Sequence, residues 1–189
     1  MRITGGIHGG RRLKVPRGGV VRPTLDQVRE ALFSMVAAAL PQWRVLDLFA
    51  GSGAVGFDAI SRGAVEVVWV EREKRTCTLI EENCRTLQAE NGRVVCADVF
   101  RWITGPGKNM GFDMVFADPP YEFFREADYS GIMGSLCEYE VIAPGGWFVG
   151  EQPAKTRAVV VPGWELLRDR TYGAARLVIY RRQADNTLI

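Results

Sequence analysis

The residues Asp118-Pro119-Pro120-Tyr121 directly follow an apolar run, Met114-Val115-Phe116-Ala117, and form the most chemically specific stretch of the chain. The two prolines restrict the backbone and remove two donors, which leaves carbonyl oxygens able to accept hydrogen bonds. An acid, free carbonyls and an aromatic face on one short turn can hold a planar amine. The Asp118 carboxylate and the Pro119 carbonyl would each accept one N–H of an exocyclic amino group. Tyr121 would stack on the ring, with Pro120 also facing the substrate. Stacking of a base on an aromatic side chain contributes about 1–3 kcal/mol. The bland alternative is a rigid turn carrying an incidental acid. Against it stands the position of the motif at the end of a strand, where open α/β sheets bind their ligands.

An aromatic amine is a poor nucleophile because its lone pair is delocalised into the ring. Two acceptors on its hydrogens would favour a pyramidal nitrogen and aim the lone pair at an electrophile. If that electrophile is an activated carbon such as a sulfonium methyl group, positioning and electrostatics can carry the reaction without a tuned general base. The single histidine, His8, is then no obstacle. A base stacked in a paired helix cannot enter such a site, so the target must be unpaired or flipped out.

A second constellation precedes the first in the chain. Asp47-Leu48-Phe49-Ala50-Gly51-Ser52-Gly53-Ala54-Val55-Gly56 follows an apolar strand pattern and opens a helix. Gly51 and Gly53 allow a tight turn and close approach of a ligand to the backbone of Phe49, Ala50 and Ser52. Glu71 ends the next strand pattern, where a carboxylate can accept from both hydroxyls of a ribose. Asp98, past the third strand pattern, could accept from an adenine amino group or cap the next helix, and the two roles are compatible. The spacing Gly51-x-Gly53-x-x-Gly56 also matches the dinucleotide fingerprint, so a nicotinamide cofactor stays open on the glycines alone. Asp47 shifts the balance, because a carboxylate at the loop entrance suits a cationic amino-acid group better than a pyrophosphate.

Alternating strand and helix patterns position these groups. Residues 25–39 read as an amphipathic helix with Thr24 and Gln27 as a capping box and Pro41 as its stop. Strand patterns occur at 45–49, 65–70, 94–97, 114–117 and 146–151, with helical patterns at 53–62, 77–87 and 129–142. Continuously apolar runs such as Val67-Val68-Trp69-Val70 imply strands covered on both faces, as in a parallel sheet. The expected fold is a doubly wound, Rossmann-like α/β sheet. The runs at 164–167 and 176–180, on either side of Tyr172-Gly173, predict an antiparallel hairpin at one edge. Residues 1–22 read as a β-hairpin around a Gly-Gly turn, set apart from a body of residues 23–189. Seven basic side chains (Arg2, Arg11, Arg12, Lys14, Arg17, Arg22, Arg29) and two acids make residues 1–30 net +5, whereas the rest of the chain is −3. Such an arm suits a polyanion, with Arg11, Arg12 and Lys14 as the leading phosphate contacts and Arg2, Arg17 and Arg22 as others.

These motifs resemble those of class I S-adenosylmethionine methyltransferases that act on exocyclic base nitrogens. The block Arg22-Pro23-Thr24-x-Asp26-x-Val28-Arg29-Glu30-x-Leu32-Phe33, with Arg2-Ile3-x-Gly5-Gly6 before it, is similar to the RsmD family of bacterial 16S ribosomal RNA guanine-N2 methyltransferases. The likeness runs from about residue 2 to about residue 182. It implies a mostly parallel seven-stranded sheet with an antiparallel C-terminal hairpin. It also implies S-adenosylmethionine as methyl donor, S-adenosylhomocysteine as product and no metal. The implied substrate is one guanine of 16S ribosomal RNA, position 966 in the RNA's own numbering, in the small subunit or an assembly intermediate. By the same resemblance Asp47, Phe49, Ala50, Gly51, Ser52, Gly53, Glu71 and Asp98 line the cofactor site, and Asp118, Pro119 and Tyr121 hold the guanine.

Bulk properties agree with a cytoplasmic enzyme. The 189 residues suffice for one core, and a monomer is expected. No apolar run reaches membrane-spanning length and no secretory leader is visible. Four cysteines without a CxxC pair, beside one histidine, argue against zinc and are expected to be reduced and mostly buried. A DNA amino-methyltransferase shares the Asp118 motif, but the length leaves no room for a separate sequence-reading domain. A nicotinamide oxidoreductase lacks a hydride-relay partner, and a non-catalytic RNA-binding assembly factor is a further alternative.

Overall fold

The computed structural model describes residues 1–16, 23–126 and 128–184. The chain divides into two compact units, residues 1–99 and 100–189. Together they hold seven strands in a mostly parallel α/β architecture whose C-terminal pair is antiparallel.

In the first unit, helix α1 (Pro23–Val36) precedes strand β1 (Arg44–Leu48), helix α2 (Ala54–Ser61), strand β2 (Glu66–Glu71), helix α3 (Lys74–Leu87) and strand β3 (Gly92–Cys96). The strands lie in the order β3-β2-β1 and pair in parallel, with Val45 opposite Val67 and Val70 opposite Val95. Every β2 residue from Val67 to Val70 is fully buried, which is why its sequence lacks alternation. Helix α1 ends at Val36 rather than at residue 39. Pro41 cannot donate and its ring clashes with a helical carbonyl four residues back. The chain instead closes a turn from the Ala39 N–H to the Val36 carbonyl at 3.0 Å and a 3-10 turn over Leu40–Gln42.

Trp69 sets the spacing inside this unit. Its indole, wholly buried, lies against Phe57 with ring centroids 4.6 Å apart. The indole N–H donates to the Gly53 carbonyl at 3.0 Å. A Cβ on Gly56 would stand 2.2 Å from the indole nitrogen, and one on Gly92 would stand 2.5 Å from the ring. The third glycine of the loop is therefore a packing residue that lets α2 settle on β2.

In the second unit, helix α4 (Val99–Ile103) leads to strand β4 (Phe112–Ala117), helix α5 (Phe123–Glu126), helix α6 (Tyr129–Glu138) and strands β5 (Ile142–Pro153), β6 (Trp164–Tyr172) and β7 (Ala175–Arg182). Strands β4 and β5 are parallel, with Ala117 opposite Gly150, and β7 then β6 continue in antiparallel pairing. Helix α6 stops at Glu138, four residues short of the expected end. Glu140 adopts φ 51°, and the Val141 and Glu140 N–H groups return to the Leu136 and Cys137 carbonyls at 2.9 and 3.1 Å. This closes a Schellman cap without glycine, so composition gave no sign of it.

Residues 1–16 contain one antiparallel bridge, Arg2 with Arg12, where a hairpin was expected, and Ile3 and Leu13 are buried. The cysteines differ from expectation. Cys77 alone is buried; Cys84 and Cys137 are half-buried and Cys96 is exposed. Only Cys77 sits on the inward stripe of α3.

The Trp69 contact predicts that Gly56→Ala is destabilising by about 1–3 kcal/mol, the usual cost of overpacking, whereas Gly134→Ala, whose Cβ would meet open space, is tolerated. Urea unfolding of the two variants checks this.

Candidate active site

The glycine loop is built at the carboxyl end of β1. Phe49 turns the chain with φ 56°, a conformation that costs a non-glycine residue energy and marks functional loops. The Ala50 N–H is held by the Val70 carbonyl at 3.1 Å. Gly51 and Gly53 both have positive φ, 52° and 73°. Around Gly51 the space where a side chain would stand holds nothing closer than the Phe49 carbonyl at 3.9 Å. A ligand can reach this backbone, and Ser52 beside it is half-buried.

Two expected carboxylates hold the loop. Asp47 is buried on β1, and its Oδ2 accepts from the Gly56 N–H at 3.1 Å. That amide lies in the first turn of α2, where helix donors have no partner of their own. The residue capping α2 is Gly53, which has no side chain to offer, so Asp47 supplies the acceptor from a strand instead. Glu71 joins two segments: Oε2 accepts from the Gly51 N–H at 2.9 Å and Oε1 from the Glu73 N–H at 2.8 Å. A carboxylate has about four acceptor sites, so both oxygens keep capacity for the hydroxyls of a ribose. Asp98 is exposed just beyond β3. An open glycine backbone, a half-satisfied carboxylate and a buried acid fit a nucleoside bearing a cationic group.

Burial pushes the Asp47 carboxyl up to about 8; the Gly56 N–H and the Arg29 charge oppose this, and the Glu71 charge adds to it. The loop thus rests on a largely protonated acid at neutral pH, a property that spacing alone did not suggest.

The second unit carries its own candidate set, at the turn after β4. Asp118 is half-buried, Pro119 buried and Pro120 exposed. Tyr121 is 38% exposed. The Pro120 and Tyr121 carbonyls accept from the Phe123 and Phe124 N–H groups at 2.9 and 3.2 Å, which winds the turn into α5. The Pro120 carbonyl is thereby used. No hydrogen bond to the Pro119 carbonyl occurs among the described residues.

Sequence reading missed Tyr129. It is fully buried, and its hydroxyl bridges the Ala117 carbonyl at 3.0 Å and the Glu151 carbonyl. It therefore fixes the residue immediately before Asp118 to the end of β5. Gly150 makes room for it, since a Cβ there would lie 2.4 Å from the tyrosine ring. Burial and the nearby Asp118 charge push the Tyr129 phenol well above its ordinary value, so it remains a neutral donor. Phe100 and Phe123, the latter two residues after Tyr121, also stack, at 6.3 Å and 21°. An apolar period with one tyrosine gave no signal for any of this.

The basic residues of the N-terminal segment are exposed but engaged. Lys14 Nζ pairs with Glu82 at 2.8 Å, and Arg11 donates to the Thr86 carbonyl at 3.2 Å. Arg2 faces Asp26 at 3.6 Å, and Arg12 is exposed. Arg17 and Arg22 lie outside the described residues. Among those residues no cluster of three or more metal-ligating side chains occurs, and no helix is long and apolar enough to cross a membrane.

A family model described as Conserved hypothetical protein 95 matches residues 1–181. Ribosomal RNA small subunit methyltransferase D of Escherichia coli strain K12 is 33% identical over 97% of this chain and 91% of that protein. The chain belongs to the RsmD family. Its fold agrees: the solved structure of yhhF from Escherichia coli matches at a TM-score of 0.86 and 33% identity, over 97% of this chain and 98% of that one. SMU.776, solved complexed with SAH, shares the fold at a TM-score of 0.70 and 17% identity, over 85% of this chain and 50% of that one. The RsmD match takes in both the glycine loop and the Asp118 turn, as well as the N-terminal segment.

The raised Asp47 carboxyl gives a pH prediction. The folded chain keeps a proton that the unfolded chain loses near 3.8. This residue's contribution to stability is therefore complete below about pH 4 and is lost as pH rises towards about 8. Asp47→Asn, which keeps an acceptor for Gly56, should raise Tm relative to the parent chain by an amount that grows between pH 5 and 8. An equal difference at every pH would show that Asp47 is ionised throughout.

Proposed function

We propose that this chain transfers a methyl group from S-adenosylmethionine to the exocyclic N2 amine of a guanine in 16S ribosomal RNA of the small subunit. One observation carries the reading. An aspartate, a proline carbonyl with no partner among the described residues and an accessible tyrosine ring share a rigid turn at the carboxyl end of a strand, in a chain of the RsmD family. The family resemblance supports guanine 966 as the position.

The residues divide the work. Glu71 receives the ribose hydroxyls through acceptor capacity that its two loop bonds leave unused. Gly51 and Gly53 let the loop backbone lie against the donor, and Asp98 accepts from the adenine amine. Asp47, once a cationic amino-acid group lies near, gives up its proton and stabilises that charge. When bound, S-adenosylmethionine supplies an electrophilic methyl carbon on a positively charged sulfur.

Asp118 and the Pro119 carbonyl take the two N–H groups of the guanine amine and orient its lone pair. Tyr121 stacks on the base, so a phenylalanine there would serve as well. The nitrogen that gains a methyl group sheds one proton, and Asp118 is the adjacent acceptor. Tyr129 keeps the turn from drifting, which matters because misplacement by about 1 Å can cost on the order of 100-fold in rate. Arg11, Arg12 and Lys14 neutralise phosphates of the RNA backbone.

Asp118→Ala should abolish methyl incorporation into 30S particles that lack the modification, while calorimetry gives S-adenosylmethionine affinity within a few-fold of the parent. Retained incorporation would remove the carboxylate from the reaction. Methylation of duplex DNA in place of ribosomal RNA would redirect the assignment. Replacing Arg11, Arg12 and Lys14 together by alanine should weaken particle binding. It should also flatten the log–log salt dependence of that binding, by about 0.7–0.9 for each phosphate that is no longer neutralised.

A further inference from the structure

The N-terminal segment is packed far more firmly than a flexible basic arm needs to be. The Thr4 N–H and hydroxyl both donate to Asp58 Oδ1 at 2.7 Å. Asp58, wholly buried on α2, also receives Nη1 of Arg29, a buried arginine whose Nη2 reaches Asp26 at 2.6 Å and the Arg2 carbonyl at 3.0 Å. At the end of α2, the Ser61 carbonyl and hydroxyl accept from the Ile7 and His8 N–H groups at 2.7 and 2.9 Å. The approach is so close that a Cβ on Gly6, itself at φ 75°, would fall 1.9 Å from the Ser61 carbonyl. This explains Gly6. A second anchor lies on α3, where the buried Asn83 side chain accepts from the Lys14 N–H and donates to the Lys14 carbonyl, both at 2.9 Å.

We propose that α2 and α3 hold residues 2–14 as a preformed platform, and that Asp58, Ser61 and Asn83 are positioning residues that present Arg11, Arg12 and Lys14 to RNA phosphates at a fixed distance from the glycine loop. This rests on the function proposed above. Helix α2 carries the loop at its Gly53 end and the platform at its Ser61 end. Eight helical residues span about 12 Å. The Ser61 end holds residues 7 and 8 while Arg11 and Lys14 rest on α3, so both helices fix where RNA is gripped relative to the donor loop, and selection among exposed guanines rests on placement as well as on base contacts. The ordering entropy of the segment is met at folding and not at binding, which favours affinity.

Loss of Asp58 would take from the buried Arg29 one of its two carboxylate partners, the one at Nη1, and endanger folding, so the test uses milder cuts. Asn83→Ala removes the α3 anchor and Thr4→Val one hydrogen bond to Asp58. In each variant hydrogen exchange at the Gly10 and Leu13 amides, bonded in the parent to the Ile3 and Met1 carbonyls, should accelerate. Binding of 30S particles lacking the modification should weaken on the order of tenfold, with S-adenosylmethionine affinity within twofold. In a double-mutant cycle the cost of Arg12→Ala on particle binding should shrink in the Asn83→Ala background, because a loosened platform no longer presents that arginine. Unchanged exchange, or an Arg12→Ala cost equal in both backgrounds, overturns the platform. Failure of the unaltered chain to bind the particle removes the RNA reading itself.

Discussion

The first unit depends on how closely α2 can lie against β2, and the Trp69 indole sets that distance. The ring occupies the volume that Cβ atoms on Gly56 and Gly92 would need, and its N–H holds the Gly53 carbonyl. Interiors are packed as densely as organic crystals, so such a contact leaves no room for even one added methyl group. The loop from Phe49 to Gly53 is stretched between this helix and β1. Its positive φ values follow from the short path the chain must take. What reads in sequence as a ligand fingerprint is thus half a packing device: Gly51 faces open space, while Gly56 faces tryptophan.

Acids, two buried and one half-buried, organise the rest of this unit. Asp47, Glu71 and Asp58 each accept backbone N–H groups that would otherwise lack partners, at the start of α2, across the loop and in the N-terminal segment. Taking a carboxylate out of water is costly unless it is hydrogen-bonded or paired. Asp58 meets that cost with Arg29. Asp47 forms no ion pair among the described residues, and burial raises its carboxyl to about 8, which leaves it able to respond when positive charge arrives. Groups placed to receive a ligand are here the same groups that hold the loop in shape.

The second unit solves a different problem. A turn with two prolines is stiff, but stiffness does not aim it. Tyr129 does so by joining the last residue of β4 to β5 from beneath, and Gly150 exists to admit its ring. Asp118 and Tyr121 then inherit their position from a buried phenol that takes no part in the chemistry assigned to them.

By itself the sequence determined the order of the strands and longer helices, the parallel character of the buried strands and the C-terminal hairpin, because apolar runs and turn residues report burial locally; it did not show the short helices α4 and α5. It also located the Asp118 turn and the glycine loop, since both motifs are contiguous. Tertiary structure alone decided the proton on Asp47, the anchors on Asp58 and Asn83, the support from Tyr129 and the glycine cap that α6 does without. The anchoring bonds join residues from 9 to 69 positions apart, which meet in a water-poor interior. Burial strengthens a hydrogen bond and penalises an isolated charge, and no local pattern of residue types records which groups will share that interior.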